Sequence, residues 1–96
     1  MSDRIVKTTK QFRRDYAKFN RSGKKIAKLD DVLSMLVRGM VLPAQYNDHP
    51  LQGEFRHMRD CHVEGDWILL YELGKDEDGY ETITFHATDN HENLFG

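Results

Sequence analysis

The sequence predicts an α+β fold: a small twisted antiparallel sheet with an N-terminal two-helix hairpin on one face, in the order β-α-α-β-β-β. Three observations carry this expectation. Apolar residues recur at helical spacing as far as Met40, and the period changes to that of a strand after Gly53. The run Trp67-Ile68-Leu69-Leu70-Tyr71 is apolar at every position, as a strand covered on both faces must be. The 96 residues fit one small domain, residues 1–96, which would bury only roughly 60% of its unfolded surface. No repeat, low-complexity tract or linker divides it.

Each element follows from a local signal. Arg4 to Lys7 reads as a short extended start. Thr8 or Thr9 then caps a helix whose Phe12, Tyr16 and Phe19 fall on one stripe and belong to the core. Lys10, Arg14, Lys18 and Arg21 follow a separate face of the same helix and form a basic ridge. Asn20 to Gly23 breaks this pattern. Ile26, Leu29, Val32, Leu33, Leu36 and Met40 then describe a second amphipathic helix, expected to pair with the first as an antiparallel hairpin. Leu42 to Pro50 holds both prolines, and Pro50 should keep His49 extended. Phe55 to Val63, Trp67 to Leu73 and Tyr80 to Ala87 read as three strands, joined by a turn at Glu64-Gly65 and an acidic turn over Gly74 to Gly79. In the last strand Ile83 and Phe85 should point one way, and Thr82, Thr84 and His86 the other.

A net charge of -2 hides two opposed halves. Met1 to Leu29 carries ten Lys or Arg against two acids, and Glu64 to Gly96 carries nine acids against Lys75 alone. A basic segment of this density suits a solvated helix face, a polyanion or an acidic partner equally well. Cys61 is the only cysteine, so no internal disulfide can form and a reducing compartment is expected. Met1 to Lys10 lacks the apolar core of a signal peptide, and no apolar run approaches the roughly 20 residues of a membrane span. The expectation is a soluble cytoplasmic protein without membrane contact.

His49, His62, Asp66 and His91 each stand beside a break in the apolar pattern, where a fold can assemble a site. Strand alternation puts Arg56, Met58, Asp60 and His62 on one face and Phe55, His57, Arg59 and Cys61 on the other. The turn after His62 returns Asp66 toward it, and a carboxylate there could fix the imidazole tautomer. Several histidines beside a carboxylate suit a reaction in which one proton is taken and another given. Cleavage of RNA by its own 2′-hydroxyl is such a reaction, and it needs no protein nucleophile and no metal. Arg59 or Arg56 could meet charge on the phosphoryl oxygens, and Phe95 could stack on a base.

Four blocks carry a resemblance: His49-Pro50-Leu51-Gln52-Gly53, Arg59-Asp60-Cys61-His62-Val63, Asp66-Trp67-Ile68-Leu69-Leu70-Tyr71, and His91-Glu92-Asn93-Leu94-Phe95-Gly96. Together they closely resemble the YafQ-type toxins, mRNA interferases of the RelE/ParE superfamily from type II toxin-antitoxin systems. The resemblance implies a RelE-like fold and a ribosome-dependent endoribonuclease that cuts mRNA in the A site, inhibits translation and uses no cofactor. It also implies a cognate antitoxin of the RelB/DinJ type with a DNA-binding end, so that operator DNA is reached only through the antitoxin. Carried over by motif, His49, His62, Asp66 and His91 fall on active-site positions, and Asp60 and Phe95 match residues linked to activity. His91 is then the best proton donor or acceptor, His62 and His49 serve proton transfer or phosphate contact, and Asp66 orients an imidazole. The acidic loop Asp76 to Asp78 and the extra length before His91 look like local insertions that bear on substrate preference. The strands carry few Lys or Arg, which favours histidine chemistry.

Other readings of the same residues stay open at this level. Asp66 is also a natural turn residue beside Gly65. Phe95 could plug the core beside Leu94, whereas Trp67 and Tyr71 should pack within the sheet. Cys61 is expected to be a small buried filler, and His57 and His86 to be structural. A zinc site would draw on the same histidines, but no paired-cysteine or H-E-x-x-H spacing is present, so no metal is expected. The rival function is a non-catalytic member of the superfamily, acting on another target or only with its antitoxin in transcriptional control.

Overall fold

The elements in chain order are β1 (Ile5–Thr8), α1 (Lys10–Arg21), α2 (Ile26–Val37), β2 (His49–Pro50), β3 (Arg59–Glu64), β4 (Trp67–Lys75), β5 (Glu81–Asn90) and α3 (His91–Phe95). They come from a computed structural model in which residues 3–23 and 26–95 are described; Met1, Ser2, Lys24 and Lys25 of the basic stretch and Gly96 of the last motif lie outside them. The strands form one sheet in the order β1-β5-β4-β3-β2. β4, the strand apolar on both faces, lies at its centre.

One face of the sheet carries the main core. Phe12 and Phe19 of α1 and Leu29, Val32 and Leu36 of α2 pack on Cys61, Val63, Trp67, Leu69, Tyr71, Ile83 and Phe85. Each side chain of this size withdrawn from water contributes about 1.5–3 kcal/mol, which makes this layer the main source of stability. Among the described residues the apolar cluster of the opposite face is small, Ile68, Leu70 and Ala87, partly covered by Leu51 and Leu94. A polar site can therefore form there without disturbing the core.

Local chemistry sets the element ends. Thr9 caps α1, its Oγ1 accepting from the Phe12 amide at 3.0 Å. At the end of α2, Gly39 takes φ 75°, and the amides of Gly39 and Met40 donate to the carbonyls of Leu36 and Met35. The helix thus stops at Val37, and Met40, expected in its stripe, lies past the cap with 45% of its surface exposed.

The structure departs from the sequence expectation at further points. The order gains the short strand β2 ahead of the meander and the helix α3 after it. The sheet is mixed rather than antiparallel, because β1 runs parallel to β5, pairing Ile5 with Thr82 through Thr8 with Phe85. Partners so far apart in the chain leave no turn signal that would fix their direction. The first meander strand begins at Arg59, not Phe55, since Gly53–Phe55 closes into a turn of 3-10 helix with Gly53 at φ 66°. β5 continues to Asn90 and contains a bulge: Tyr71 pairs with Phe85 but Leu70 with Ala87, so His86 is extra. An inserted residue flips every later side chain to the other face. Phe85 thus joins the helix-side core while Ala87 joins the opposite cluster. Thr9 satisfies the bulge, its hydroxyl donating to the His86 carbonyl at 2.6 Å and its amide to the Phe85 carbonyl at 3.2 Å.

Candidate active site

The histidine cluster is assembled by sheet register and by α3. His49 stands directly opposite Asp60 in the β2–β3 pair, so both side chains belong to one face. Alternation along β3 adds His62 to that face. α3 follows β5 without a break and brings His91 beside them, its imidazole centroid 5.3 Å from that of His62.

Asp60 is the centre of the group. Its side chain is 2% exposed, with Oδ2 lying 3.4 Å from His91 Nε2 and Oδ1 4.0 Å from His62 Nε2. Oδ1 has no hydrogen-bond partner among the described residues. A buried carboxylate oxygen left in this way costs stability, of order 1–3 kcal/mol, and is retained where function needs it. Two backbone carbonyls fix the neighbouring rings. A carbonyl oxygen only accepts, so His62 Nδ1 donates to Gly65 at 3.0 Å and His49 Nδ1 donates to Asn47 at 2.7 Å. In each neutral ring Nε2 then carries the free lone pair. The aromatic edge continues outward, with Phe95 6.1 Å from His91 and edge-on to Phe55 at 5.7 Å. Phe95 is 40% exposed, so it covers the cluster instead of plugging the core.

His49, Asp60, His62, His91 and Phe95 thus come together, and two expected members do not. Arg59 alternates with Asp60 and faces the other way. Its Nε donates to Asp48 at 3.2 Å and to the Tyr71 hydroxyl at 3.3 Å, and these bonds outweigh burial to hold its charge firmly. It cannot meet a phosphate held at Asp60. Asp66 is exposed in the β3–β4 turn, and the partner fixing His62 is the Gly65 carbonyl. The carboxylate facing the imidazoles is Asp60. Arg56, the other cation considered, is exposed at the end of the 3-10 turn beside Phe55.

The basic ridge exists as drawn from the sequence. Lys10, Arg14, Lys18 and Arg21, with Arg13, line an open groove of about 770 Å³ along α1. Lys18 also reaches Asp89 at 3.4 Å. Cys61 is fully buried, and burial pushes its thiol well up, so it stays protonated and inert. Burial, with the hydrogen bond to Asp48, likewise raises the Tyr71 hydroxyl. His86 Nε2 lies 2.9 Å from Glu72 Oε1, apart from the histidine cluster.

Sequence reasoning missed the residues that hold the site in place. Asp89 accepts from the Asn90 amide at 2.8 Å and from Asn93 Nδ2 at 2.9 Å, tying α3 to the end of β5. Burial alone would raise its carboxyl, but the bonds from Asn93, Asn90 and Lys18 hold it below the ordinary range. Asp15, also buried, accepts from the Thr88 amide at 3.1 Å and so closes the β5 edge beyond β1. The run Asp89-Asn90-His91-Glu92-Asn93 is a legible helix start, and it was the available signal for Asp89.

Comparison with known proteins agrees with this geometry. The model of the family described as "Bacterial toxin of type II toxin-antitoxin system, YafQ" matches residues 4–96. The mRNA interferase toxin YafQ of Escherichia coli K12 is 36% identical over 97 residues, covering all of both chains. A crystal structure of the E. coli DinJ-YafQ toxin-antitoxin complex matches with TM-score 0.85 at 36% identity, over 98% of this chain and 99% of that one. A metal-bound toxin from Helicobacter pylori matches with TM-score 0.82 at 30% identity, over 95% and 98% of the two chains. With the family model matched over residues 4–96 and a relative 36% identical over its full length, the chain belongs to the YafQ family of bacterial type II toxin-antitoxin toxins.

Proposed function

We propose that this protein is a metal-independent mRNA interferase that cuts mRNA in the ribosomal A site through the 2′-hydroxyl of the substrate. The observation that supports this most is the buried Asp60 carboxylate between two imidazoles, one of them locked with its Nε2 lone pair toward the face. His62 or His49, each with Nδ1 fixed on a carbonyl, takes the 2′-hydroxyl proton at Nε2. The 2′-oxygen attacks phosphorus in line, and the bond from phosphorus to the 5′-oxygen breaks. His91, its charge met by Asp60 when protonated, gives a proton to the leaving oxygen. The products are a 2′,3′-cyclic phosphate and a 5′-hydroxyl end.

Asp60 is a positioning residue in this scheme, and Asp66, at the mouth of the same turn, serves as an outer polar contact. Phe95 stacks on a base beside the cut, and Arg56 is the nearest remaining candidate for charge on the phosphoryl oxygens. With so few cations of its own, the site relies on the ribosome to hold the phosphate in line. The E. coli relative was crystallised with the antitoxin DinJ, and this chain is expected to be neutralised by a cognate antitoxin of that type and to meet operator DNA only through it. Its place of action is the cytoplasm, where ribosomes are. The ridge Lys10, Arg14, Lys18 and Arg21 suits ribosomal RNA or an acidic antitoxin segment.

The chemistry is tested with an mRNA carrying a single 2′-deoxy nucleotide at the mapped cut site. Loss of cleavage there, with a cyclic phosphate on the unmodified product, is the expected result. Cleavage of the deoxy position, or a 5′-phosphate product, refutes the scheme.

A further inference from the structure

Asp60, His62 and His91 offer three ligand atoms that all lie within 4.8 Å of one another. We propose that these three side chains form an inhibitory site for a divalent transition-metal ion such as Zn2+ or Cu2+, which switches the toxin off by occupying its proton-transfer groups. The inhibition, though not the binding, rests on the reaction proposed above.

The separations fit. Donors about 2.1 Å from a tetrahedral ion stand about 3.4 Å apart. Asp60 Oδ2 and His91 Nε2 are already 3.4 Å apart, and Asp60 Oδ1 and His62 Nε2 are 4.0 Å apart. His91 and His62 are 44% and 28% exposed, so small ring movements bring the set to bonding distance.

The chemistry fits as well. Imidazole nitrogen with carboxylate oxygen is a donor set for zinc, copper and nickel, not for magnesium or calcium, which take oxygen. A histidine bound to metal usually donates its other ring N–H to a carbonyl or carboxylate, and His62 already does so to Gly65 at 3.0 Å. Asp60 Oδ1, buried and without a hydrogen bond among the described residues, keeps an unused lone pair 4.0 Å from His62 Nε2. Three protein ligands leave a fourth position to water.

A bound ion uses the Nε2 lone pair of His62 that would take a proton, and removes His91 as a donor. Metal and catalysis therefore exclude each other. This differs from a metal-dependent nuclease, in which chelation abolishes cutting; here chelation leaves cutting intact, and added metal stops it.

The test uses the full chain without an affinity tag. Calorimetry with Zn2+ should give one site per chain, weakened by more than about tenfold in His62→Gln and in His91→Gln, and unchanged in His57→Gln, whose side chain is exposed elsewhere. Cu2+ bound to the wild type should show paramagnetic resonance coupling to two nitrogens, and to one in either ligand variant. Circular dichroism checks that each variant is folded, and His91→Gln, on the surface helix, is the variant least able to disturb the core. Ribosome-dependent cleavage should fall with Zn2+ at the concentration that fills the site and return with EDTA. Absence of one-site binding, or binding that survives both ligand variants, overturns the site. Stimulation of cleavage by Zn2+ overturns the inhibitory role. A protein that never cuts mRNA fails the proposed function instead, and the calorimetric and resonance results still decide the site.

Discussion

Removing the Asp89 carboxylate should detach the end of the molecule that carries His91 while leaving its core folded. In Asp89→Ala, α3 loses the acceptor for the Asn90 amide and for Asn93 Nδ2, and Lys18 loses its ion pair. A hydrogen bond to a charged group is worth about 1.5–3 kcal/mol, while the cap of α3, Asn90 Oδ1 accepting from the Asn93 amide at 2.7 Å, stays in place. Lys18 is 57% exposed, so its pair adds less than about 1 kcal/mol. A total of about 2–3 kcal/mol is local to α3, and it raises the open population of that helix roughly 30- to 150-fold. Five residues cannot remain helical alone, and among the described residues the apolar anchors are Leu94 on the Ile68-Leu70-Ala87 cluster and Phe95 on Phe55. Hydrogen exchange should show Asn93 to Phe95 losing protection while β4 keeps it. The thermal midpoint should move by less than roughly 5 °C, because the helix-side core is untouched. Cleavage should fall at least about tenfold as His91 leaves Asp60. Full protection of α3 together with full activity would refute this account of how His91 is held.

Three further outcomes follow from the fold. Thr9→Ala removes both a helix cap and the partner of the bulge carbonyl and should destabilise by about 1–2 kcal/mol in urea unfolding, with Thr9→Ser restoring most of it. Cys61 should resist iodoacetamide in the native protein and react fully in urea, read by mass spectrometry, since burial holds its thiol up. Tyr16, raised by its hydrogen bond to Asp30, and Tyr71, raised by burial, should ionise late. The unfolded chain then loses these protons first, so stability is complete below about pH 10 and declines above it. Tyrosinate absorbance and urea unfolding across that range should show this, and Tyr71→Phe should flatten the decline.

The part of the fold written in periodicity was legible. The helical stripe of Phe12 and Phe19, the central position of Trp67–Lys75 and the extended His49 all follow from local patterns of apolar residues and proline, and the structure has each. What could not be read were pairings set by tertiary contact. The parallel β1–β5 pair joins opposite ends of the chain, and the His86 bulge is fixed by Thr9, which lies 77 residues earlier. The phase change at that bulge puts Ala87 on the face opposite Phe85, which strict alternation does not foresee.

The site divided along the same line. His49, His62 and His91 were singled out because histidines at element ends are conspicuous and because the motifs matched. Alternation correctly put Asp60 with His62, but only the structure shows that its carboxylate is the buried one facing the rings. Asp66 looked the better partner because it is nearer in a turn, yet a turn side chain points to solvent while the turn carbonyl binds the imidazole. Arg59 was assigned to phosphate on charge, against its own strand parity, and it pairs with Asp48 instead. Asp15 acts through the Thr88 amide, which no side-chain pattern reveals, whereas Asp89 stood in a legible helix start that went unread.

The central claim is that the His91 cluster cuts mRNA on the ribosome. Primer extension on programmed ribosomes, comparing wild type with His91→Ala and with the same mRNA free of ribosomes, tests it most directly. Discrete cuts that require the ribosome and fall by about 10²- to 10⁴-fold in His91→Ala are predicted. Equal cutting by the variant would contradict the assignment of the site, and no cutting by the folded wild type would contradict the function.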